Sequence, residues 1–321
     1  MVSKLKLGVV VVTYNSQHTI QACLDALISQ CDIEDKILVY DNGSSDDTPE
    51  ILKKYESKVS LKLSSNNLGF SYACNWCVQK AAEVSHIAFI NPDAVVGLDL
   101  ILRAKESLAD RLVGLVGFSC KDINGLEDKN FRRYPSILSN ILTLIDSTFF
   151  HLKLKRREMF NLNKHYLDGS CFFIDRGVFL NANQFQNLFL YGEDVILCDS
   201  LKREGITAIY HSDVSYLHLR GASSSAIPGE RSWSMLPNMV YSEFFYLRNR
   251  SFLFRGTYLF IKFLESSSLI IILILFLRKN KIKRDFFRKK LYHFVRFSWP
   301  FFVKGGKFYH SEFHILSKES Q

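Results

Sequence analysis

The sequence predicts an α/β fold with a mostly parallel mixed sheet flanked by helices, followed by a helical, basic extension at the C-terminus. Short apolar runs alternate with amphipathic stretches over the first third of the chain, which is the pattern of strands joined by crossover helices. The length of 321 residues, with 47% hydrophobic side chains, suffices for one large domain and an appendage. The net charge of +9 is uneven, because the segment from Leu247 onward holds 16 Lys and Arg against 4 Asp and Glu.

The first part of the predicted domain, residues 1–120, contains five strands and the helices between them. The first strand is predicted at residues 7–13, and the helix after it has a predicted cap at Ser16. The next helix is predicted to begin with Thr48 as its cap, because Pro49 follows at the first helical position. The remaining strands of this part are predicted at residues 36–40, 59–63, 87–91 and 113–118.

The second part, residues 121–245, begins with an irregular and basic stretch at residues 124–166. We therefore expect a long excursion from the sheet, and loops of this kind usually serve binding or are mobile. Regular patterns return with a strand at residues 170–174, a helix at residues 194–203 and a strand at residues 207–217.

The extension, residues 246–321, is predicted to be helical and to lie on a membrane surface. Residues 252–276 are rich in Phe, Leu and Ile, but only residues 269–277 are uninterrupted by charge, which is too short to span about 30 Å of hydrocarbon. Residues 278–290 then supply eight positive charges against Asp285. This mixture suits an anionic membrane surface, although a solvated basic face would have the same composition.

The sequence also predicts where the protein works. The apolar run at residues 7–12 is too short for the core of a signal peptide, and seven scattered cysteines give no disulfide framework. We therefore expect a cytoplasmic protein that is peripheral on the inner face of the cell membrane.

Four polar clusters follow predicted strands, at the sheet edge where open α/β sheets bind their ligands. They contain the candidate ligand-binding residues Thr13, Tyr14 and Asn15; Asp41; Asn67, Gly69 and Asn75; and Asn91 and Asp93. A carboxylate such as Asp41 can accept a hydrogen bond from the N3–H of uracil or thymine. Asp93 can hold Mg²⁺ or Mn²⁺, whose other ligands would be diphosphate oxygens. Each cluster alone would also make sense as an ordinary turn or helix start.

The clusters occur in the motifs VVTYNS, DNGSSDDT, NNLGFSYACN and FINPDAVV, which in this order resemble the nucleotide-sugar half of the inverting GT-A glycosyltransferases of the family 2 type. The later motifs FRRYPS, LDGSCFFIDRGVF, FLYGEDVILC and YLHLRGASS are similar to its rhamnosyltransferase-like branch. The resemblance covers residues 5–250. It implies a GT-A fold and sugar transfer from a nucleotide diphosphate sugar donor to a saccharide acceptor, which can be lipid-linked.

Within this resemblance, Asp41 would read the base, and Asp93 and His218 would bind a divalent cation. Asp194 would be the catalytic base, which agrees with a single displacement in which one carboxylate deprotonates the acceptor hydroxyl. The acceptor or sugar would lie near Gly169, Ser170, Tyr191 and Glu193. The expected reaction is transfer of rhamnose from dTDP-rhamnose during synthesis of bacterial surface polysaccharide.

Two positions depart from the family pattern. Ile196 stands where a second acidic residue commonly follows the base, and Asn91 replaces the first aspartate of the metal motif. Both departures bear on how the base and the cation would be held.

Other functions are less well supported by the sequence. No GxGxxG follows the first strand, which disfavours a dinucleotide oxidoreductase. Nucleic-acid binding through the basic tail would leave the polar clusters unexplained, so we expect no nucleic-acid partner. Within sugar transfer, the alternative is a galactosyl-, glucosyl- or N-acetylhexosaminyltransferase that uses a UDP-sugar. A polyprenyl-phosphate sugar synthase is disfavoured because the sequence lacks a clear pair of transmembrane segments.

Overall fold

The computed structural model describes residues 5–128, 130–141, 159–219, 231–276 and 281–305. The chain divides into two compact units. The first consists of Met1–Arg132, Phe160–Phe189 and Glu193–Ser225, and the second of Arg133–Met159, Leu190–Gly192 and Ala226–Gln321. The predicted boundaries at 120–121 and 245–246 stay predictions.

The first unit contains a large sheet and a two-stranded sheet. The strands are β1 (Leu7–Thr13), β2 (Lys36–Asp41), β3 (Ser60–Leu63), β4 (His86–Ile90), β5 (Ala94–Val96), β6 (Val113–Lys121), β7 (Glu127–Asp128), β8 (Phe131–Arg133), β9 (His165–Leu167), β10 (Cys171–Asp175) and β11 (Thr207–His218). The large sheet has the order β3-β2-β1-β4-β10-β6-β11-β5, with β7 paired to β6, and β8 pairs with β9. This is the α/β sheet that the alternating pattern predicts.

The sheet is more mixed than the sequence predicts. Strands β3, β2, β1 and β4 run parallel, but β10 is antiparallel to both of its neighbours, β4 and β6. All of β1 and all but one residue of β10 are buried, and a buried apolar run carries no sign of its direction. The prediction of a mostly parallel sheet is therefore wrong at β10.

Helices of the first unit pack their apolar side chains on this sheet. They are α1 (Ile20–Gln30), α2 (Thr48–Lys53), α3 (Phe70–Lys80), α4 (Leu100–Leu108), α5 (Arg176–Asn181) and α6 (Glu193–Arg203). In α1, the buried residues Ile20, Cys23, Leu24 and Leu27 form one face, as their spacing predicts.

Both predicted helix caps are misplaced. Thr19, not Ser16, precedes α1, and the Ser16 carbonyl instead accepts hydrogen bonds from the backbone of Thr19 and Ile20 at 3.0 Å. Asp47 precedes α2, while the Thr48 hydroxyl accepts a hydrogen bond from the Ser16 amide at 2.8 Å. These two polar residues therefore hold the loops after β1 and β2 together, a long-range role that local capping patterns do not reveal.

The C-terminal segment of the second unit contains the helices α7 (Arg231–Leu247), α8 (Phe252–Phe276) and α9 (Lys281–Lys304). Helix α9 packs on α7 through buried aromatic rings, because Phe301 stacks on Phe244 at a centroid distance of 4.6 Å and Phe297 meets Tyr241 at 5.8 Å. The described residues of the predicted extension are thus mostly helical, while its attachment to a membrane stays a prediction. None of the helices in the described ranges is long and apolar enough to cross a membrane.

Two of the charges that interrupt the apolar run of α8, Lys262 and Arg255, have partners within the second unit. Lys262 Nζ lies 3.1 Å from Glu243 Oε1, and that carboxylate also accepts a hydrogen bond from the Tyr258 hydroxyl. Arg255 donates from Nη2 to the carbonyl of Phe302 at 3.1 Å. These contacts join α8 to α7 and α9, so the charges serve helix packing.

Candidate active site

The loops after β1 and β2 form the first polar region at the carboxyl edge of the sheet. The two strands end side by side, since Thr13 pairs with Asp41 in parallel register. Asp41 is buried, and its carboxylate accepts hydrogen bonds from the Ser44 amide at 3.0 Å and from the Ser44 hydroxyl. Burial raises the pKa of Asp41 above its ordinary value, while the hydrogen bonds from Ser44 favour its ionised form.

Residues of the first cluster support this turn. Asn15 accepts a hydrogen bond from the Ser45 amide at 2.8 Å, and its own amide donates to the Ser44 hydroxyl at 2.8 Å. Thr13 is buried and Tyr14 is exposed. Of the predicted nucleotide-binding residues at this point, Tyr14 therefore has the most accessible side chain, and Asn15 shapes the turn that holds Asp41.

Gly69 starts helix α3 in a backbone conformation, φ 92° and ψ 160°, that is essentially confined to glycine. A Cβ at this position would lie 2.7 Å from the backbone oxygen of Phe189. The Phe70 amide donates to that same oxygen at 2.8 Å, and Asn67 accepts from the Gly69 amide at 3.0 Å. The close approach that Gly69 permits is thus to the chain itself.

Asn75 joins α3 to the segment that precedes Phe189. Its side-chain amide donates to the Phe185 carbonyl at 2.9 Å and accepts from the Phe185 amide at 3.2 Å. These two contacts hold the helix in place, and a contact between Asn75 and a donor nucleotide stays a prediction.

Asp93 and His218 lie next to each other although 125 positions separate them in the chain. Strand β5 begins directly after Asp93, and β11 pairs with it so that His218 stands opposite Ala94. The Leu219 amide donates to the Asp93 carbonyl at 2.8 Å, which fixes the end of β11 beside the loop. As a result, His218 Nε2 lies 3.3 Å from Asp93 Oδ1, and both side chains are largely buried.

This arrangement fits a divalent cation. Two ligands on adjacent corners of an octahedron, each about 2.1 Å from the ion, are separated by about 3 Å, close to the observed 3.3 Å. The described residues contain no cluster of three or more His, Cys, Asp or Glu that could hold an ion. Asp93 and His218 would therefore supply two ligands, and a substrate or water would have to supply the others. Asn91, two positions before Asp93, is half-buried, and its backbone amide donates to the Ser170 carbonyl at 2.9 Å.

Asp194 lies in the first turn of α6. Its Oδ2 accepts a hydrogen bond from the Gly169 amide at 3.1 Å, and its Oδ1 accepts from the Val195 amide at 2.7 Å. The two residues just before α6, Tyr191 and Gly192, both have positive φ, at 70° and 85°. A left-handed conformation is costly for tyrosine, and such outliers cluster at functional sites.

The carboxyls at the start of α6 have raised pKa values. Burial and then the negative charge of Asp168 raise the pKa of Asp194, against hydrogen bonds from the Val195 and Gly169 amides. Burial and the neighbouring Asp194 raise the pKa of Glu193, whose Oε2 is buried without a hydrogen-bond partner among the described residues. A carboxyl whose pKa approaches neutrality is suited to accept a proton near physiological pH.

Ser170 supports this region from within the core. Its hydroxyl donates to Asn130 Oδ1 at 3.0 Å and lies 2.6 Å from the Tyr216 hydroxyl, with all three groups buried. Ser170 therefore packs in the core beside this region, and its place in the vicinity of the acceptor or sugar stays a prediction. Its neighbour Gly169 does contact the predicted base, through its backbone amide.

Sequence reasoning missed Asp168 and Arg132. Asp168 Oδ2 accepts from Arg132 Nη2 at 3.2 Å and from Nε at 3.3 Å, and the Asp168 charge acts on Asp194. The available signal was the position of Asp168, directly before Gly169 in the motif LDGS.

Comparison with known proteins assigns the family. The family model described as glycosyl transferase family 2 matches residues 8–181, which is more than half of the chain. The chain belongs to this family. The family prediction is thereby confirmed, and the loops after β1, β2 and β4 lie within the matched region.

Curated relatives include a rhamnosyltransferase. The chain is 26% identical over 243 residues, 69% of its length, to N-acetylglucosaminyl-diphospho-decaprenol L-rhamnosyltransferase of Mycobacterium tuberculosis, covering 78% of that protein. It is also 31% identical over 131 residues to poly(ribitol-phosphate) beta-glucosyltransferase of Bacillus spizizenii, which covers 38% of this chain and 20% of that protein. The rhamnosyltransferase-like resemblance is supported by the first of these.

Solved structures show the same fold. The mannosyltransferase PcManGT from Pyrobaculum calidifontis, in complex with GDP-Man and Mn²⁺, matches with a TM-score of 0.53 and 16% identity over 91% of this chain and 86% of that one. Staphylococcus aureus TarS 1-349 in complex with UDP-GlcNAc matches with a TM-score of 0.50 and 17% identity over 98% and 88%. The predicted GT-A fold is confirmed, with a mixed sheet and flanking helices.

Proposed function

We propose that this glycosyltransferase moves a sugar, with inversion, from a nucleotide diphosphate donor to a saccharide acceptor during synthesis of bacterial surface polysaccharide. The observation that carries the proposal is the 3.3 Å contact between Asp93 and His218, the two proposed cation ligands, which come from distant parts of the chain. The relative from Mycobacterium tuberculosis favours rhamnose as the sugar and a lipid-linked acceptor, and dTDP-rhamnose is the donor that we expect.

Asp194 is the proposed base of a single displacement. Its carboxylate takes the proton of the acceptor hydroxyl while that oxygen forms a bond to C1 of the donor sugar. The bond between C1 and the diphosphate oxygen breaks on the opposite face, so the configuration at C1 inverts and the nucleoside diphosphate leaves. The Gly169 and Val195 amides hold the carboxylate by one oxygen each, which leaves lone pairs on both oxygens for the acceptor.

Asp93 and His218 would hold Mg²⁺ or Mn²⁺. The ion would neutralise charge on the leaving diphosphate. The neighbouring residues of this chain bind and orient the donor: Asp41 would accept the imide N–H of the base, and Tyr14 would contact the nucleoside from its exposed position. Thr13, Asn15, Asn67, Gly69, Asn75 and Asn91 form or support the surrounding loops.

The affinity of the protein for different nucleoside diphosphates distinguishes dTDP-rhamnose from a UDP-sugar as the donor. We expect dTDP to bind most tightly, with UDP as the alternative because TarS has been solved with UDP-GlcNAc. Titration of the protein with dTDP, UDP and GDP, each with Mn²⁺ and with Mg²⁺, measures the preference. A clear preference for GDP would contradict both proposed donors, dTDP-rhamnose and a UDP-sugar, because guanine is neither thymine nor uracil.

A transfer assay tests the reaction itself. Purified protein, dTDP-rhamnose and an N-acetylglucosaminyl-diphospho-lipid should yield a disaccharide lipid whose new linkage has the opposite anomeric configuration to the donor, as measured by NMR. A retained configuration would rule out the single displacement. Transfer from UDP-glucose, UDP-galactose or UDP-N-acetylhexosamines, with none from dTDP-rhamnose, would establish the alternative donor class.

We also propose that the second unit holds the enzyme on the cytoplasmic face of the membrane, where such a lipid-linked acceptor would be found. Helices α8 and α9 expose large apolar side chains at Phe252, Leu253, Phe260, Phe263, Tyr292, Val295, Trp299 and Val303. An open apolar groove of about 350 Å³ lies among them, and exposed basic residues at Arg288 and Lys289 precede the α9 members of this set. This combination of apolar surface and positive charge complements an anionic lipid surface.

Charge reversal at Arg288 and Lys289 tests the attachment. Replacing both with Glu should reduce sedimentation with anionic phosphatidylglycerol vesicles, because each basic residue near the surface contributes about 1 kcal/mol. The matched control reverses Lys54 and Lys58, two exposed lysines of the first unit. Equal loss in both variants, or undiminished binding at high salt, would contradict a specific attachment. Truncation before α8 is a poor test, because it would expose the α7 rings that α9 covers.

A further inference from the structure

The Arg132–Asp168 ion pair lies beside the proposed base in the first unit. Asp168 immediately precedes Gly169, whose amide holds Asp194 Oδ2 at 3.1 Å. The Asp168 amide donates to the Asn130 carbonyl at 3.0 Å, and its carboxylate accepts both Nε and Nη2 of Arg132 at 3.3 and 3.2 Å. Arg132 lies on β8 and Asp168 directly follows β9, so the two-stranded sheet presents both residues to the turn.

The pair is too exposed to be explained by fold stability. The Arg132 side chain is 54% exposed and that of Asp168 is 27% exposed. Solvent screens an ion pair of this kind, and exposed pairs contribute about 0–1 kcal/mol to stability. Its position next to the Gly169 turn therefore calls for another role.

The two charges act on Asp194 in opposite directions. After burial, the negative charge of Asp168 contributes most to the raised pKa of Asp194, whereas the positive charge of Arg132 lowers it. Among the described residues, the other titratable groups that interact with Asp194 are Glu193 on the same helix and the buried thiol of Cys198 one turn further along. Asp168 and Arg132 lie outside α6, at the two-stranded sheet and the turn that follows it. Their charges therefore act on Asp194 only because this sheet packs against the start of α6.

We propose that Arg132 and Asp168 are a positioning pair, which holds the Gly169 turn against Asp194 and sets the balance of charge beside the base. Asp168 places its backbone so that the Gly169 amide reaches the base, and Arg132 fixes Asp168. This inference rests on the proposed function of Asp194. It adds two residues that act through the base, without touching the reacting atoms.

The dependence of kcat/KM on pH separates this role from a structural one. Activity that needs ionised Asp194 is lost as pH falls through the pKa of that carboxyl. Asp168→Asn removes a negative charge and should move this acidic limb to lower pH. Arg132→Gln removes a positive charge and should move it to higher pH. Each shift should amount to about one pH unit or less, since the pair is partly exposed.

Both substitutions break the same ion pair, so a purely structural role predicts similar effects from each. Arg132→Lys keeps the charge and should leave the limb in place. The matched controls are Asp199→Asn, which breaks a pair with Arg203 on the same helix, and Arg103→Gln, which breaks a pair with Asp213. Neither control should move the limb, because neither residue contributes to the Asp194 environment.

The possible results separate failure of the positioning pair from failure of Asp194 as the base. Shifts of Asp168→Asn and Arg132→Gln in the same direction, or no shift in either, would overturn the positioning pair while Asp194→Asn still abolished turnover. Wild-type turnover in Asp194→Asn would overturn both the base and the pair. Folding of each variant is checked by its far-UV circular dichroism and by the midpoint of its urea unfolding.

Discussion

Gly69→Ala should destabilise the first unit strongly, because two separate costs fall on this position. The backbone at φ 92° and ψ 160° is costly for any residue with a Cβ, by about 1–3 kcal/mol. The new Cβ would also lie 2.7 Å from the Phe189 oxygen and 2.9 Å from its Cα, and such crowding costs about 1–3 kcal/mol more. The expected loss of unfolding free energy is the sum, about 2–6 kcal/mol.

Gly125→Ala is the matched control for the crowding. Gly125 also has a positive φ, 74°, but a Cβ there would have nothing within 4 Å. Only a conformational cost of about 1–2 kcal/mol applies. Urea unfolding followed by circular dichroism measures both variants. Equal losses in Gly69→Ala and Gly125→Ala would show that the Phe189 backbone relaxes freely, which would refute the argument that its contact with Gly69 fixes the start of α3.

Three further predictions concern the proposed chemistry. Asp194→Asn should keep donor binding but lower turnover by about 10²–10⁴, and a fall in donor affinity with turnover preserved would instead make it a binding residue. Asp93→Ala and His218→Ala should each weaken Mn²⁺-dependent nucleotide binding in calorimetry, without additivity in the double variant; two independent losses would contradict a shared ion. The folded state raises the pKa of Glu193, so ionising this buried carboxyl lowers the free energy of unfolding increasingly as pH rises above about 4.5. The free energy of unfolding of Glu193→Gln should therefore exceed that of the wild type by more at pH 8 than at pH 5. An equal difference at both pH values would refute the raised pKa.

Strands and helices of the first unit were predictable because polar residues flank each apolar run of the sequence. The strand predicted at residues 7–13 is β1, and the helix predicted at residues 194–203 differs from α6 by one residue. The direction of β10 was not predictable, since its pairing partners are distant in sequence. The predicted caps at Ser16 and Thr48 were wrong for a related reason. The Ser16 amide donates to the Thr48 hydroxyl, a contact between residues that are far apart in sequence, and the Ser16 carbonyl accepts from the Thr19 and Ile20 amides.

Candidate site residues that belong to a sequence motif could be predicted. Features of the site that depend on tertiary packing, such as the burial of a carboxyl or an ion pair beside it, could not. Asp93 and His218 were assigned from separate motifs, and the β5–β11 register brings them together. The burial of Glu193 and the pair of Asp168 with Arg132 depend on which elements cover the start of α6. The excursion at residues 124–166 contains short strands at its described ends, whereas Lys153, Lys155, Arg156 and Arg157 lie outside the described residues.

The antiparallel pairing of β10 with β4 limits where the sequence can change when acceptor specificity evolves. Asn91 meets Ser170 at the end of that pairing, so the proposed cation ligand Asp93 follows one strand and the Gly169 turn that contacts Asp194 precedes the other. The distance between the proposed donor region and the proposed base is therefore set by the register of β10 on β4. Insertions elsewhere in the chain can alter acceptor choice without changing this spacing, whereas a slip of one residue would turn every side chain of β10 to the opposite face. Natural variation in specificity should accordingly be concentrated away from β4 and β10.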